Sequence, residues 1–317
     1  MIKLIKKVFI FLLPFLLFLL SVYLIDPYDY FNKGKMNELK NKIAFISDYG
    51  RRLYFISYKK NPEPNAILGY SQAGVIKIPN IPEPGWCKLT FGGADTWEAI
   101  ESFKVISANP GLKKVFIDIN PFNYIVACSR VYNKASSRSY QAIQLLSNPS
   151  KYFYDKEVVW SSYMYLKSRI LRDTSYVKLG NPEGTKDIFW EDQLKTARTS
   201  FKGDPEISRK ELLKSLQEIK QYCDLHKIEI VIFSSMMHTE LQDIARDFKI
   251  KVFLPDIIGI FGEIKDFAYP NEYTEIRQNF GDPFHVSSDS IYINALWKND
   301  NTFCKIITKK NIDNVKN

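Results

Sequence analysis

Ala66-Ile67-Leu68-Gly69-Tyr70-Ser71-Gln72 decides how the chain is read. Four small or apolar residues ending in glycine have the length and character of a buried strand, and a serine follows at once. Working outward, Lys88-Leu89-Thr90-Phe91 forms a second short strand that ends in Gly92-Gly93. Ala94 to Ala108 has helical spacing, with Trp97, Ile100, Phe103, Val105 and Ile106 apolar, and stops at Asn109-Pro110-Gly111. Lys114-Val115-Phe116-Ile117-Asp118-Ile119 reads as a third strand, Glu229 to Phe233 as a fourth and Lys251-Val252-Phe253-Leu254 as a fifth. Amphipathic helices are expected over 206–226 and about 238–248. Strands alternating with helices predict an α/β fold, a flavodoxin-like parallel sheet with helices on both faces. In such sheets reactive groups collect at the carboxyl ends of the strands. That rule points to Ser71, Gly92-Gly93, Asn120 and the loop after the last strand.

The rest of the chain divides by composition. Lys3, Lys6 and Lys7 precede an apolar run from Val8 to Ile25, so residues 1–25 are expected to be one N-terminal transmembrane helix. The basic flank belongs in the cytoplasm, which places the main domain outside it. A cleaved signal peptide is the rival reading, although Ser21 to Ile25 offers a poor cleavage site. Residues 26–64 read as a polar stalk and 65–304 as the α/β domain. An aromatic-rich insertion is expected at about 122–205, and 305–317 as a basic tail. The insertion's rings are expected to pack as a helical cap or to stack on sugars, with Arg130, Lys134 or Arg138 meeting anionic groups.

The 317 residues are 45% apolar and 25% charged, which excludes a disordered or multi-span membrane chain. The N-terminal lysines and the tail from Lys305 each contribute +3 to the net charge of +9, so the body gives no electrostatic case for nucleic acid. Cys87, Cys128, Cys223 and Cys304 are too far apart for a metal or redox knuckle; two disulfides or four isolated thiols remain open. No His/Asp/Glu cluster has metal-ligand spacing, and Leu68 to Gly74 lacks the lysine and third glycine of nucleotide loops. No cofactor is expected.

Chemistry is expected where Ser71 meets Asp282-Pro283-Phe284-His285. A serine needs a base, histidine is the natural base near neutrality, and its second nitrogen needs an acceptor to fix the tautomer. Asp282 can supply that acceptor, and Ser287-Ser288 is expected to cap the helix that follows. Of the other histidines, His226 reads as a surface residue and His238 as structural, with a pocket position open. Gly92 or Gly93 and Asn120 are candidate oxyanion donors; read singly, the glycines form a tight turn and Asn120 is a turn or cap residue.

This order of strand-Ser, strand-Gly, strand-Asn and late Asp-x-x-His resembles the SGNH (GDSL-like) hydrolase superfamily, over roughly 65–120 and 228–297. The chain departs from that pattern at Tyr70, where an aspartate precedes the serine, at Asp118, where a glycine stands, and at Pro121, where an aspartate stands. The resemblance implies Ser71 as nucleophile, His285 as base, Asp282 as its orienter and Gly92, Gly93 and Asn120 at the oxyanion. With an N-terminal anchor, the chain looks like the envelope-modifying members, such as the teichoic acid D-alanyl transfer protein and the alginate O-acetylation proteins. That likeness implies a serine esterase or O-acyltransferase at the bacterial cytoplasmic membrane, acting outside the cytoplasm on a cell-envelope glycan beside a multi-span acyltransferase. A catalytically inactive binding or scaffold subunit of the same fold is the alternative.

Overall fold

A computed structural model of the chain describes residues 2–28, 30, 31, 55, 58–171 and 186–315. It divides into two compact units, Met1–Lys60 with Gln141–Pro182, and Asn61–Tyr140 with Glu183–Asn317.

The second unit is α/β. Its strands are β1 (Asn65–Tyr70), β2 (Trp86–Phe91), β3 (Lys114–Asp118), β4 (Glu229–Ser234), β5 (Glu263–Asp266), β6 (Phe280–Asp282), β7 (His285–Val286) and β8 (Lys305–Thr308). Six form one sheet in the order β2-β1-β3-β4-β5-β8, and β6 and β7 form a separate antiparallel pair. Pairing is parallel from β2 to β5, and β8 adds one antiparallel edge strand. Parallel strands need crossover connections and must be covered, so β1 and β3 read as nearly continuous apolar runs. Ile67, Phe116, Phe233, Phe267, Tyr292 and Leu296 are buried in one core cluster.

In chain order the helices are α1 (Ile2–Ile25), α2 (Thr96–Ile106), α3 (Pro121–Cys128), α4 (Arg138–Ser147), α5 (Pro149–Tyr152), α6 (Lys156–Leu171), α7 (Lys186–Ser200), α8 (Arg209–His226), α9 (Thr239–Phe248), α10 (Leu254–Phe261) and α11 (Ser290–Trp297). The Asp95 side chain caps α2 by accepting the Glu98 N–H. The amphipathic face expected over 206–226 buries Leu212, Leu216, Ile219 and Cys223 of α8.

Four expectations are corrected. The fifth strand is Glu263–Asp266, and 251–254 is helical, joining a π-helical turn (Lys249–Phe253) to α10. Burial there recurs at 241, 245, 249, 253, 254, 257 and 258, a helical spacing, and Pro255 is tolerated because it lies in the first turn of α10. The basic tail instead contributes β8, with Ile307 buried opposite Ile264. The insertion expected at 122–205 is divided: α3 and α7 belong to the α/β unit, and 141–182 to the other. The expected Ser287-Ser288 cap narrows to Ser288, whose Oγ accepts the Ser290 N–H at 3.3 Å at the start of α11, while Asp289 makes no side-chain cap bond.

The first unit holds α1, α5 and α6. Its turn after α1 is set by Asp26, fully buried, whose carboxylate accepts from Tyr152 Oη (2.8 Å), Tyr30 N (2.8 Å) and Phe31 N (2.9 Å). A buried carboxylate requires such donors, so the start of the expected stalk folds back onto α5; residues 32–54 lie outside the described residues. The expected transmembrane helix is not supported: among the described residues no helix is long and apolar enough to cross a membrane.

Candidate active site

The strand order reverses between β1 and β3, because the chain steps from β1 to β2 on one side and to β3 on the other. Side chains at the carboxyl ends of these two strands therefore face a common crevice. Ser71 follows β1, Asn120 follows β3 by two residues, and Gly92 and Gly93 follow β2.

His285 reaches this edge from the β6–β7 hairpin. Asp282 builds the turn, its Oδ1 accepting the N–H groups of Phe284 (2.8 Å) and His285 (3.1 Å). The same carboxylate lies 2.7–2.8 Å from His285 Nδ1. On the other side of the ring, Nε2 lies 2.7 Å from Ser71 Oγ. Burial opposes ionisation of Asp282, but its hydrogen bond with His285, that ring's charge and the two backbone donors outweigh it. The carboxyl is held below its ordinary range. An ionised carboxylate only accepts, so Nδ1 carries the proton. Nε2 is then the acceptor, and the Ser71 hydroxyl donates to it. The three groups, 214 residues apart at the extremes, form one relay.

The hairpin is held at two points. The His238 N–H donates to Pro283 O at 2.9 Å. Phe284 packs edge-on against Phe122 of α3, ring centroids 5.2 Å apart. His238 is structural, as one of its expected readings had it: its Nδ1 accepts the Glu240 N–H at the start of α9, and its ring packs against Trp190 and Phe280. His226 is exposed at the end of α8 beside Tyr222.

Asn120 combines cap and donor. Its Oδ1 accepts the Asn123 N–H at 3.0 Å and caps α3, while its Nδ2, fully buried, has no hydrogen-bond partner. Buried amide hydrogens rarely lack an acceptor, and an incoming oxyanion would supply one. Gly92 and Gly93 are exposed at the rim, and a Cβ at either would meet nothing within 4 Å. Gly93 has φ +64°, a conformation that favours glycine.

The departures at Tyr70 and Pro121 have local structural causes. Tyr70 is buried, with Oη 2.9 Å from Thr96 Oγ1, which ties β1 to α2. Pro121 occupies the first turn of α3, where its missing N–H goes unneeded. Of the residues expected to meet ligand, Arg130 pairs with Asp95, and Lys134 lies over the Tyr140 ring. The Arg138 side chain lies outside those described. Tyr132 stacks on Trp97, and Tyr124 donates to Asp256, so these rings pack rather than line the crevice. A cleft of about 360 Å³ next to Asp282 is lined by Asp187, Trp190, Arg277, Gln278, Phe280 and Gly281. No local pattern announces it, because Trp190 and Arg277 are 87 residues apart; Arg277 stacks over the Trp190 ring at 4.7 Å. All four cysteines are free thiols.

In comparisons with known proteins, no family model, no curated protein and no solved structure matches the chain.

Proposed function

We propose that this chain is a serine esterase or O-acyltransferase of SGNH-like type, acting on acyl groups of a cell-envelope glycan. The observation that carries the reading is the relay Asp282–His285–Ser71, with both imidazole contacts at 2.7–2.8 Å. The strand order β2-β1-β3-β4-β5 supports it as well, being the flavodoxin-like order with ligands at the β1/β3 switch point.

Ser71 Oγ attacks the ester carbonyl carbon while its proton passes to His285 Nε2. Asp282 stabilises the imidazolium. The carbonyl oxygen, now an oxyanion, accepts from Asn120 Nδ2 and a backbone N–H at Gly92 or Gly93. Collapse breaks the ester C–O bond, and the leaving alcohol takes the proton from His285, leaving Ser71 acylated. A water or a sugar hydroxyl then gives its proton to His285 and attacks the acyl-serine, and Ser71 leaves with that proton. Water as acceptor makes the protein an esterase; a sugar hydroxyl makes it a transferase.

The open rim at Gly92 and Gly93 and the half-exposed His285 favour a polymer over a small molecule enclosed in a cavity. The location is proposed from sequence alone: the basic flank and the apolar run 8–25 attach the chain to the bacterial cytoplasmic membrane, with the α/β unit outside the cytoplasm. A multi-span acyltransferase is the proposed partner.

The test is turnover by the full chain in detergent, with p-nitrophenyl acetate and an O-acetylated glycan as substrates. Acetate release that Ser71→Ala and His285→Ala each abolish supports the reading. Release unchanged by either substitution, or none from the wild-type chain, overturns it.

A further inference from the structure

Asp118 ends β3 and is completely buried. Its Oδ2 accepts the Ser235 hydroxyl at 2.6 Å, and its Oδ1 accepts the Ser235 N–H at 3.1 Å. The backbone N–H of Ala73 also favours the ionised form of this carboxylate. Ser235 directly follows β4, and Ala73 comes two residues after Ser71. One carboxylate thus joins the exit of β4 to the loop that carries the serine. Gly69 makes room for it. A Cβ on Gly69 would lie 2.6 Å from Asp118 Cβ, and Gly69 itself has φ +146°. The glycine two residues before Ser71 and the aspartate beside it are one packing unit.

We propose that Asp118 is the positioning residue of the nucleophile loop, packed against Gly69 and anchored by Ser235 within the sheet so that Ser71 Oγ meets His285 Nε2. This inference rests on the serine reading above. Asp118 acts through the loop and does not touch substrate.

The surroundings of Asp118 give the arrangement a signature. The titratable groups facing it are Tyr70 of β1 and Tyr292 of α11, whose phenols burial raises and keeps neutral. Among the described residues no cation offsets its charge. Burial raises its carboxyl to about 7, against the pull of Ser235 and Ala73. The ionised form accepts both Ser235 donors; the protonated form grips them less well. Serine reactivity should therefore rise with pH through the titration of Asp118.

Stability should move the other way. A carboxyl whose pKa is higher folded than unfolded binds more protons in the folded state, so stability is lost as pH rises from about 4 to about 7. A residue with only a structural role would lower reactivity and stability together.

The experiment measures fluorophosphonate labelling rate and melting temperature from pH 5 to pH 9 for the full chain. The variants are Asp118→Asn, Ser235→Ala and Ser71→Ala. Asp118→Asn is expected to label on the order of 10–100-fold more slowly, the sensitivity of such reactions to small misplacements. It should lose the pH step that Asp118 contributes and lose part of the fall in melting temperature between pH 5 and pH 8. Ser235→Ala removes a donor to the carboxylate and should move that step to higher pH; it carries the test if Asp118→Asn fails to fold. Wild-type rates and pH profiles in both variants, with Ser71→Ala unlabelled, overturn the positioning role and leave the serine reading standing. Labelling that survives Ser71→Ala overturns the serine reading itself.

Discussion

Replacing Asp282 with asparagine keeps the shape of the side chain and reverses its message to His285. Oδ1 already accepts the N–H groups of Phe284 and His285, so an asparagine oxygen is expected to stay on them. The new Nδ2–H₂ then faces His285 Nδ1, now 2.7 Å from Oδ2, and donates to it. Nδ1 becomes an acceptor, the ring proton moves to Nε2, and Nε2 donates to Ser71 Oγ where it should accept. Losing the charge-assisted bond to the imidazolium costs about 1.5–3 kcal/mol, and undoing the new bond about 1 kcal/mol more. Together these raise the barrier by about 2.5–4 kcal/mol, a rate loss of roughly 10²–10³-fold at 1.36 kcal/mol per decade. Full tautomer trapping in the Ser-His-Asp template reaches about 10⁴-fold. The assay is the second-order rate of fluorophosphonate labelling at pH 7.5, with melting temperature and circular dichroism as fold controls. A rate within threefold of wild type in a folded Asp282→Asn variant would refute the reasoning. The same carboxylate contributes stability that is present above the ordinary carboxylate range and lost as pH falls through its lowered folded value. Acid melts below about pH 4 should therefore separate the two proteins less than melts at pH 7 do.

Further predictions concern the donor, the close packing, the buried ion pair and the thiols. Asn120→Asp keeps the cap oxygen but removes the Nδ2 donor, so ester turnover should fall about 10²–10³-fold, and the melting temperature should fall with it because the new carboxylate oxygen is buried without a donor; equal turnover would remove Asn120 from the oxyanion site. Gly69→Ala forces a Cβ to 2.6 Å from Asp118 Cβ at φ +146° and should destabilise by about 1–3 kcal/mol in urea melts. Lys249 donates to Asp266 at 2.6 Å with both side chains buried. Lys249→Met should cost about 3–5 kcal/mol, and the double change with Asp266→Leu much less. Burial pushes all four cysteine thiols up to about 12, so the native protein should resist iodoacetamide at pH 8 and react with four equivalents once unfolded.

The parts of this molecule legible in its sequence are those governed by local pattern. Apolar runs marked β1, β3 and β4, and a serine and an Asp-x-x-His turn stood at places where strand ends and hairpins put them within reach. What the sequence hid depends on distant partners. Residues 251–254 look like a strand until Lys249 is seen paired with Asp266, 17 residues on, which makes the surrounding segment helical and lets a charged run become β5. The last strand was masked by its lysines, which an edge strand tolerates. Asp26 looked like the first residue of a stalk because nothing local announces Tyr152, 126 residues away, as its donor. Asp118 looked like a departure from a motif, and its donors come from Ser235, 117 residues away at the end of another strand.

The most direct measurement is mass spectrometry of the peptide carrying residue 71 after the purified chain is treated with a fluorophosphonate. The account predicts one adduct per chain, on Ser71, and none when His285 is alanine. An unmodified peptide from folded wild-type protein, or an adduct on another residue, would contradict it.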